Sequence, residues 1–204
     1  MFANPSETGQ TGPIFDEYWF CRILMKYPQL LILIFLLSIL HITGCKKSIV
    51  TNEKQAILFQ VDYVNYAWGY QHNGFILDGD GIVYTYKNPP DWNFPDKDFN
   101  ISENEVEDNI RNCTYSGQKI PSEELKKHAG YIRNISLSKI TALKNVAADA
   151  GSLEYTCYQF SEKTDTYKGC LIKMEGDFTC ENLNFYSKKV TGWLRSVKDT
   201  IEKK

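Results

Sequence analysis

Phe75-Ile76-Leu77-Asp78-Gly79-Asp80-Gly81-Ile82-Val83-Tyr84-Thr85-Tyr86-Lys87 is the stretch that decides the fold. Two runs of aliphatic and aromatic residues flank a pair of Asp-Gly steps. Gly and Asp accept positive φ at little steric cost, so the segment reads as a tight hairpin between strands at 75–78 and 82–87. Asn88-Pro89-Pro90 ends the second strand, and residues 91–100 follow as an irregular loop. Asp78 and Asp80 also invite a calcium-loop reading. Such a loop needs an oxygen ligand at its fifth position and Glu at its twelfth, where this chain has Ile82 and Pro89.

Upstream, Ile57 to Tyr66 is a strand by composition. Phe59, Val61, Tyr63 and Asn65 fall on one face, and Leu58, Gln60, Asp62 and Val64 on the other. Trp68 to Gly74 reads as a loop closed by an Asn73-Gly74 turn. Its Trp68, Tyr70, His72 and Asn73 form the candidate binding surface, because Tyr and Trp combine apolar area with a polar handle. The bland alternative has Trp68 and Tyr70 closing the end of the core and His72 in solvent.

Downstream, Ser102 and Glu105 form a capping-box pattern for a short acidic helix reaching Ile110. Its Glu103, Glu105, Glu107 and Asp108 read as a solvated face. Ser122 is the expected cap of a second helix, whose apolar face is Leu125, His128, Ala129 and Ile132. A third helix is expected over 138–150, with Ile140, Leu143 and Ala147 inward and Gly151 as its stop. Residues 153–160 and 167–174 read as a second hairpin. From 184 to 202, Tyr186, Val190, Trp193, Leu194, Val197 and Ile201 fall on one helical stripe. Strands, then helices, then strands and a helix predict an α+β fold: a five-stranded antiparallel sheet with helices packed on one face and a C-terminal amphipathic helix.

The chain has six cysteines. Cys113, Cys157, Cys170 and Cys180 belong to the folded part, where an even number in an exported domain reads as two disulfides. With the second hairpin turning between Lys163 and Thr164, Cys157 and Cys170 fall opposite one another, so Cys157–Cys170 and Cys113–Cys180 are the expected bridges. The spacings lack the C-x2-C pairs of structural zinc sites. A thiol hydrolase using Cys113 with His128 or His72 is the competing chemical reading, and Asn112-Cys113-Thr114 does not match the Asp-Cys-Ser-Gly setting of cell-wall endopeptidases.

Ahead of all this, Lys26 precedes an apolar run from Leu30 to Leu40 that ends in Ile42-Thr43-Gly44-Cys45. The run is about half the roughly 20 residues a spanning helix needs. A cation, a short apolar core and small residues together read as a signal peptide. The ending resembles the lipobox of bacterial lipoproteins. That resemblance implies diacylglyceryl transfer to Cys45 and N-acylation, which would supply the two or more chains needed for stable anchoring. An uncleaved membrane anchor is the alternative. Residues 1–24, with Asp16-Glu17 where signal peptides carry cations, read as an extension ahead of a start at Met25. The expected organisation is 1–24 extension, 25–44 signal peptide, 45–56 lipid anchor and polar tether, and 57–204 one globular domain. That domain resembles small uncharacterised lipoproteins and no narrower family.

Lys and Arg total 23 against 25 Asp and Glu. No strong field draws in nucleic acid, so that partner class is not expected. The expected function is a non-enzymatic binding module at the cell or outer membrane, facing the periplasm or exterior, with an envelope protein or wall component as partner and no cofactor or metal. A hydrolase of envelope polymers and an inhibitor or immunity-type protein are the alternatives. Two histidines in the mature chain and no nucleophile elbow weigh against the hydrolase.

Overall fold

A first strand with two different faces organises the molecule. In the computed structural model, which describes residues 55–203, β1 (Ile57–Asn65) buries Phe59 and Val61 on one side and turns Gln60, Asp62 and Val64 to the other. It pairs antiparallel with β2 (Gln71–Asp78) on one flank and β7 (Ser152–Ser161) on the other. β3 (Ile82–Lys87) and β5 (Thr114–Lys119) extend the sheet beyond β2. β8 (Thr166–Gly176), β9 (Phe178–Glu181) and β6 (Lys144–Asn145) extend it beyond β7. β4 (Asn100–Ser102) pairs with β8, completing a nine-stranded open antiparallel sheet.

The hairpin at 78–81 forms as its sequence demands. Asp78 Oδ1 accepts from the amides of Asp80 (2.9 Å) and Ile82 (2.7 Å), and Gly81 has φ +84°. The capping box also forms. Glu105 Oε2 accepts from the Ser102 amide (2.8 Å) at the start of α1 (Glu103–Arg111).

The helices lie on both faces of the sheet, and this corrects the expected single-sided packing. α2 (Ser122–Ala129), α3 (Ile132–Ser136) and α4 (Phe185–Glu202) cover the Phe59 face. Leu125, Ile135, Val190 and Leu194 meet Phe59, Val61 and Tyr155 there. α1 lies on the opposite face, where Val106 joins Ile57, Ile76, Tyr86, Ile101, Tyr158 and Tyr167 in a second, smaller core.

The expected five strands correspond to β1, β2, β3, β7 and β8, and the four others carry almost no apolar period. Every residue of β5 and β6 is exposed or half-buried, and β4 and β9 bury one residue each. The expected helix over 138–150 is absent. Its amides bond instead to the β9 ribbon, Thr141 N to Glu181 O (2.9 Å) and Val146 N to Asp177 O (2.9 Å), while Ile140 and Leu143 stay exposed. Ser122 is the first residue of α2 and makes no cap. Pro121 holds the N-cap position, and its carbonyl accepts from Leu125 N (2.9 Å).

The expected disulfides are also corrected: Cys113, Cys157, Cys170 and Cys180 are all free thiols. Cys157 and Cys170 do stand opposite in the β7–β8 register. Each thiol, however, donates to a backbone carbonyl, Cys157 to Cys170 O (3.6 Å) and Cys170 to Lys168 O (3.8 Å). Cys113 immediately precedes β5 and Cys180 lies on β9, towards opposite ends of the strand order. At about 4.8 Å per strand that separation is several times the roughly 7 Å limit between bridged Cα atoms.

The expected signal stretch, Cys45 and residues 1–24 lie outside the described residues. Among the described residues no helix is long and apolar enough to cross a membrane.

Candidate functional site

The Gln60 face of the sheet carries a cleft of about 730 Å³. Its floor is a ladder of three directly opposed pairs from β1 and β7: Gln60 with Thr156, Asp62 with Glu154, and Val64 with Ser152. Polar residues at alternate positions of a central strand need solvent, a cavity or buried hydrogen-bond partners on that face. One wall is the 92–99 loop, which contributes Trp92, Phe94, Asp96 and Phe99. Tyr66 and the 149–151 and 177–178 segments line the cleft elsewhere.

The 92–99 wall is built firmly. Asp96 Oδ1 accepts from the amides of Asp98 and Asn100, both at 2.8 Å, and these bonds hold its carboxyl below the usual carboxylate range. The amide of Asn93 donates to Asn109 Oδ1 (2.8 Å), and Asn109 Nδ2 donates back to Asn93 O (2.8 Å). Gly169 N donates to Phe99 O (2.7 Å), fastening the loop to β8. The ring centroids of Trp92 and Tyr86 are 4.2 Å apart.

Alongside the floor, on the same face of the sheet, runs a buried polar chain. The Tyr158 hydroxyl donates to Gln60 Oε1 (2.7 Å), and Gln60 Nε2 donates to the Tyr86 oxygen (3.0 Å). The Tyr86 hydroxyl donates to Asp62 Oδ1 (2.7 Å), and His72 Nε2 donates to the same oxygen (2.8 Å). Asp62 accepts only, so this bond places the His72 proton on Nε2. Burial, and then the Asp62 charge, push the Tyr86 phenol well above its ordinary value, and burial does the same for Tyr158. Both remain hydrogen-bond donors at neutral pH. Two donors on Oδ1 fix the Asp62 carboxylate and leave Oδ2 without a donor among the described residues.

Gly74 makes this contact possible. It lies between Asp62 and Tyr86 in the register, one on each neighbouring strand. A Cβ on Gly74 would fall 2.5 Å from the Tyr86 hydroxyl and 2.0 Å from Val61 O. The bare glycine is the gap through which Tyr86 reaches across β2.

The structure divides the candidate surface of Trp68, Tyr70, His72 and Asn73. Trp68 is 77 % exposed and Tyr70 is exposed with its ring 5.5 Å from that of Tyr66. His72 is 0 % exposed, its ring within 5.2 Å of those of Trp92 and Phe94. Its Nδ1 is buried with no hydrogen-bond partner. Asn73 and Gly74 lie within β2, not in a turn. Sequence reasoning had no hold on Glu154 or the 92–99 wall, because the β1–β7 pairing that creates the floor spans most of the folded chain. The signal that was present is Gln60 and Asp62 at alternate positions of an otherwise apolar strand.

Glu154 and Asp62 give the cleft its chemistry. Burial first, and then the Asp62 charge, raise Glu154 above the usual carboxylate range, and its one side-chain partner is the Ser152 hydroxyl (3.2 Å). Like charges opposed in this way favour a proton or a cation at the pair. The Cys113 thiol lies elsewhere, in the smaller core, and burial pushes it up to about 12.

No family model, no curated protein and no solved structure matches this chain.

Proposed function

We propose that this protein is a bacterial envelope lipoprotein, held at the cell or outer membrane through lipidated Cys45, whose folded domain is a non-enzymatic binding module. The observation that carries the binding reading is the cleft of about 730 Å³ on the β1–β7 face. Its volume is in the range of small-ligand sites, and a rigid hydrogen-bonded wall and floor pre-organise it. The anchoring reading is supported by the apolar run and Ile42-Thr43-Gly44-Cys45, followed by polar residues as a spacer. An envelope protein or a wall component remains the partner class.

Two measurements test the two halves. Cells grown with a clickable fatty acid should label the protein, and Cys45→Ser should abolish the label; retained label overturns the anchoring. A photo-reactive residue in place of Phe94, at the cleft wall, should capture a ligand in intact cells. Failure to capture anything there, with capture from a control position such as Phe185, overturns the assignment of binding to this cleft.

A further inference from the structure

We infer that the cleft receives an organic ammonium ligand, a protonated amine held between the aromatic rings at its mouth and the Asp62–Glu154 pair on its floor. The inference rests on the binding-module reading and names the chemistry of its ligand.

Charge segregation is the first argument. The whole chain is nearly balanced, yet Asp62, Asp96, Asp149, Glu154 and Asp177 line the cleft and, among the described residues, no Lys or Arg does. Lys168 lies at the rim, where it holds the Asp98 carbonyl and acts on Asp96.

The position of the two floor carboxylates is the second. Asp62 and Glu154 are directly opposed on paired strands, an arrangement in which like charges destabilise the ladder. Elsewhere this protein neutralises a partly buried carboxylate with its own cations. Glu175 on β8 is held by Lys173 (2.9 Å) and by Arg195, and its carboxyl is lowered. Among the described residues Glu154 receives no cation, and His72, beside Asp62 on the same face of the sheet, occupies one of its oxygens. The pair is left open on the side that faces the cleft.

The aromatic lining of the cleft suits the same ligand. Tyr66, Phe94, Phe99 and Phe178 line the cleft and are exposed, Tyr66 at 71 % and Phe94 at 50 %. Aromatic faces attract ammonium groups, and aromatic walls over a carboxylate are a recurrent way to hold them. A neutral sugar would use the rings but leave the opposed carboxylates unrelieved. Among the described residues no three His, Cys, Asp or Glu side chains group closely enough to hold a metal ion. The exposed rings beside the carboxylates favour an organic ammonium over a hydrated metal ion.

The test uses full-length protein in a non-ionic detergent at physiological salt, with ligand binding followed by calorimetry. Spermidine represents a free polyamine and a lysine-containing tripeptide represents a peptide amine. Their N-acetylated forms keep the size and lose the charge, and a neutral oligosaccharide is the third arm. At least one amine should bind, its acetylated form should not, and Glu154→Gln should weaken binding roughly tenfold or more. Glu175→Gln, on a carboxylate outside the cleft, should change affinity less than about twofold. Which amine binds assigns the source. Glu154→Gln removes a like-charge opposition and is expected to fold, which a thermal melt verifies; Asp62→Asn is the second variant.

Equal binding of acetylated and free amines, tighter binding of the oligosaccharide, or amine binding untouched by both Glu154→Gln and Asp62→Asn would each overturn the inference. So would absence of amine binding. In all these cases the binding module itself stands if the photo-reactive residue at position 94 still captures a ligand in cells, and falls with the inference if it does not.

Discussion

Gly74 shows how much one missing side chain controls. Next to Asn73 it has the form of a turn signal, because glycine's freedom at positive φ is its commonest use. Here the residue is an extended strand position, and what matters is the absent Cβ. Tyr86 crosses the strand at Gly74 to donate to Asp62, and Asp62 is thereby fixed on one oxygen. Gly74→Ala would drive a methyl group into Val61 O and the Tyr86 ring. The backbone contact cannot relax by a rotamer change, so the variant should lose about 1–3 kcal/mol or more in urea unfolding. It should also perturb Trp92 fluorescence, because that ring stacks on Tyr86.

At the scale of the element, α4 fastens one face of the sheet. Asn184 caps it, accepting from Tyr186 N (2.9 Å). Val190, Trp193, Leu194 and Val197 are buried along the expected stripe, and Ser187 and Thr191 are buried beside them. Trp193 joins three elements. Its ring meets the edge of Phe59 at 5.3 Å and stacks on His128 at 4.0 Å, and its Nε1 donates to Glu124 Oε1 (2.5 Å). Trp193→Ala should cost about 3–5 kcal/mol, because the cavity would lie among β1, α2 and α4, where no single element can close it. Chemical denaturation measures this. A change within about 0.5 kcal/mol would show that α4 contributes little to the fold. The 138–150 segment is the counter-example. Ile140 and Leu143 have helical spacing, but both stay exposed, and pairing with the β9 ribbon satisfies the backbone instead.

At the scale of the whole molecule, an antiparallel sheet separates two environments. The Phe59 face is sealed by three helices, whereas the opposite face carries α1 over one part and the cleft over the rest. Stability against pH reports on the open part. Glu154 is raised in the folded state, so it favours folding below the ordinary carboxylate range and costs stability once the pH exceeds its raised value. The titratable groups around it are Asp62 from β1, Asp149 and Asp177 from the flanking segments, and the Cys180 thiol from β9, which burial and then the Glu154 charge raise. None of these relieves the cost. Glu154→Gln should therefore stabilise the protein at pH 7 by about 0.2–1 kcal/mol, the size of a cross-strand charge pair. The gain should vanish near pH 4, where both chains carry a neutral side chain. Thermal melts across that range measure it, and a gain that is independent of pH would assign it to packing rather than charge.

What the sequence determined by itself is local. The 78–81 hairpin, the Ser102–Glu105 box, the alternation of β1 from Phe59 to Val64 and the stripe of α4 were legible because each depends on residues within a few positions of one another; the expected faces of β1 fail at its ends, where Leu58 joins the Phe59 core beside a bulge and Asn65 lines the cleft. The opposition of Cys157 and Cys170 was legible for the same reason, since a hairpin's register follows from its turn. Whether their sulfurs bond does not follow from register, and there the expectation failed. The tertiary structure decided everything that joins distant segments. β4, β5, β6 and β9 exist because neighbouring strands offer them backbone partners, a satisfaction that leaves no hydrophobic period to read. The cleft arises where β1 meets β7 across almost a hundred positions, setting Asp62 against Glu154, and a single sequence holds no periodicity that encodes such a meeting.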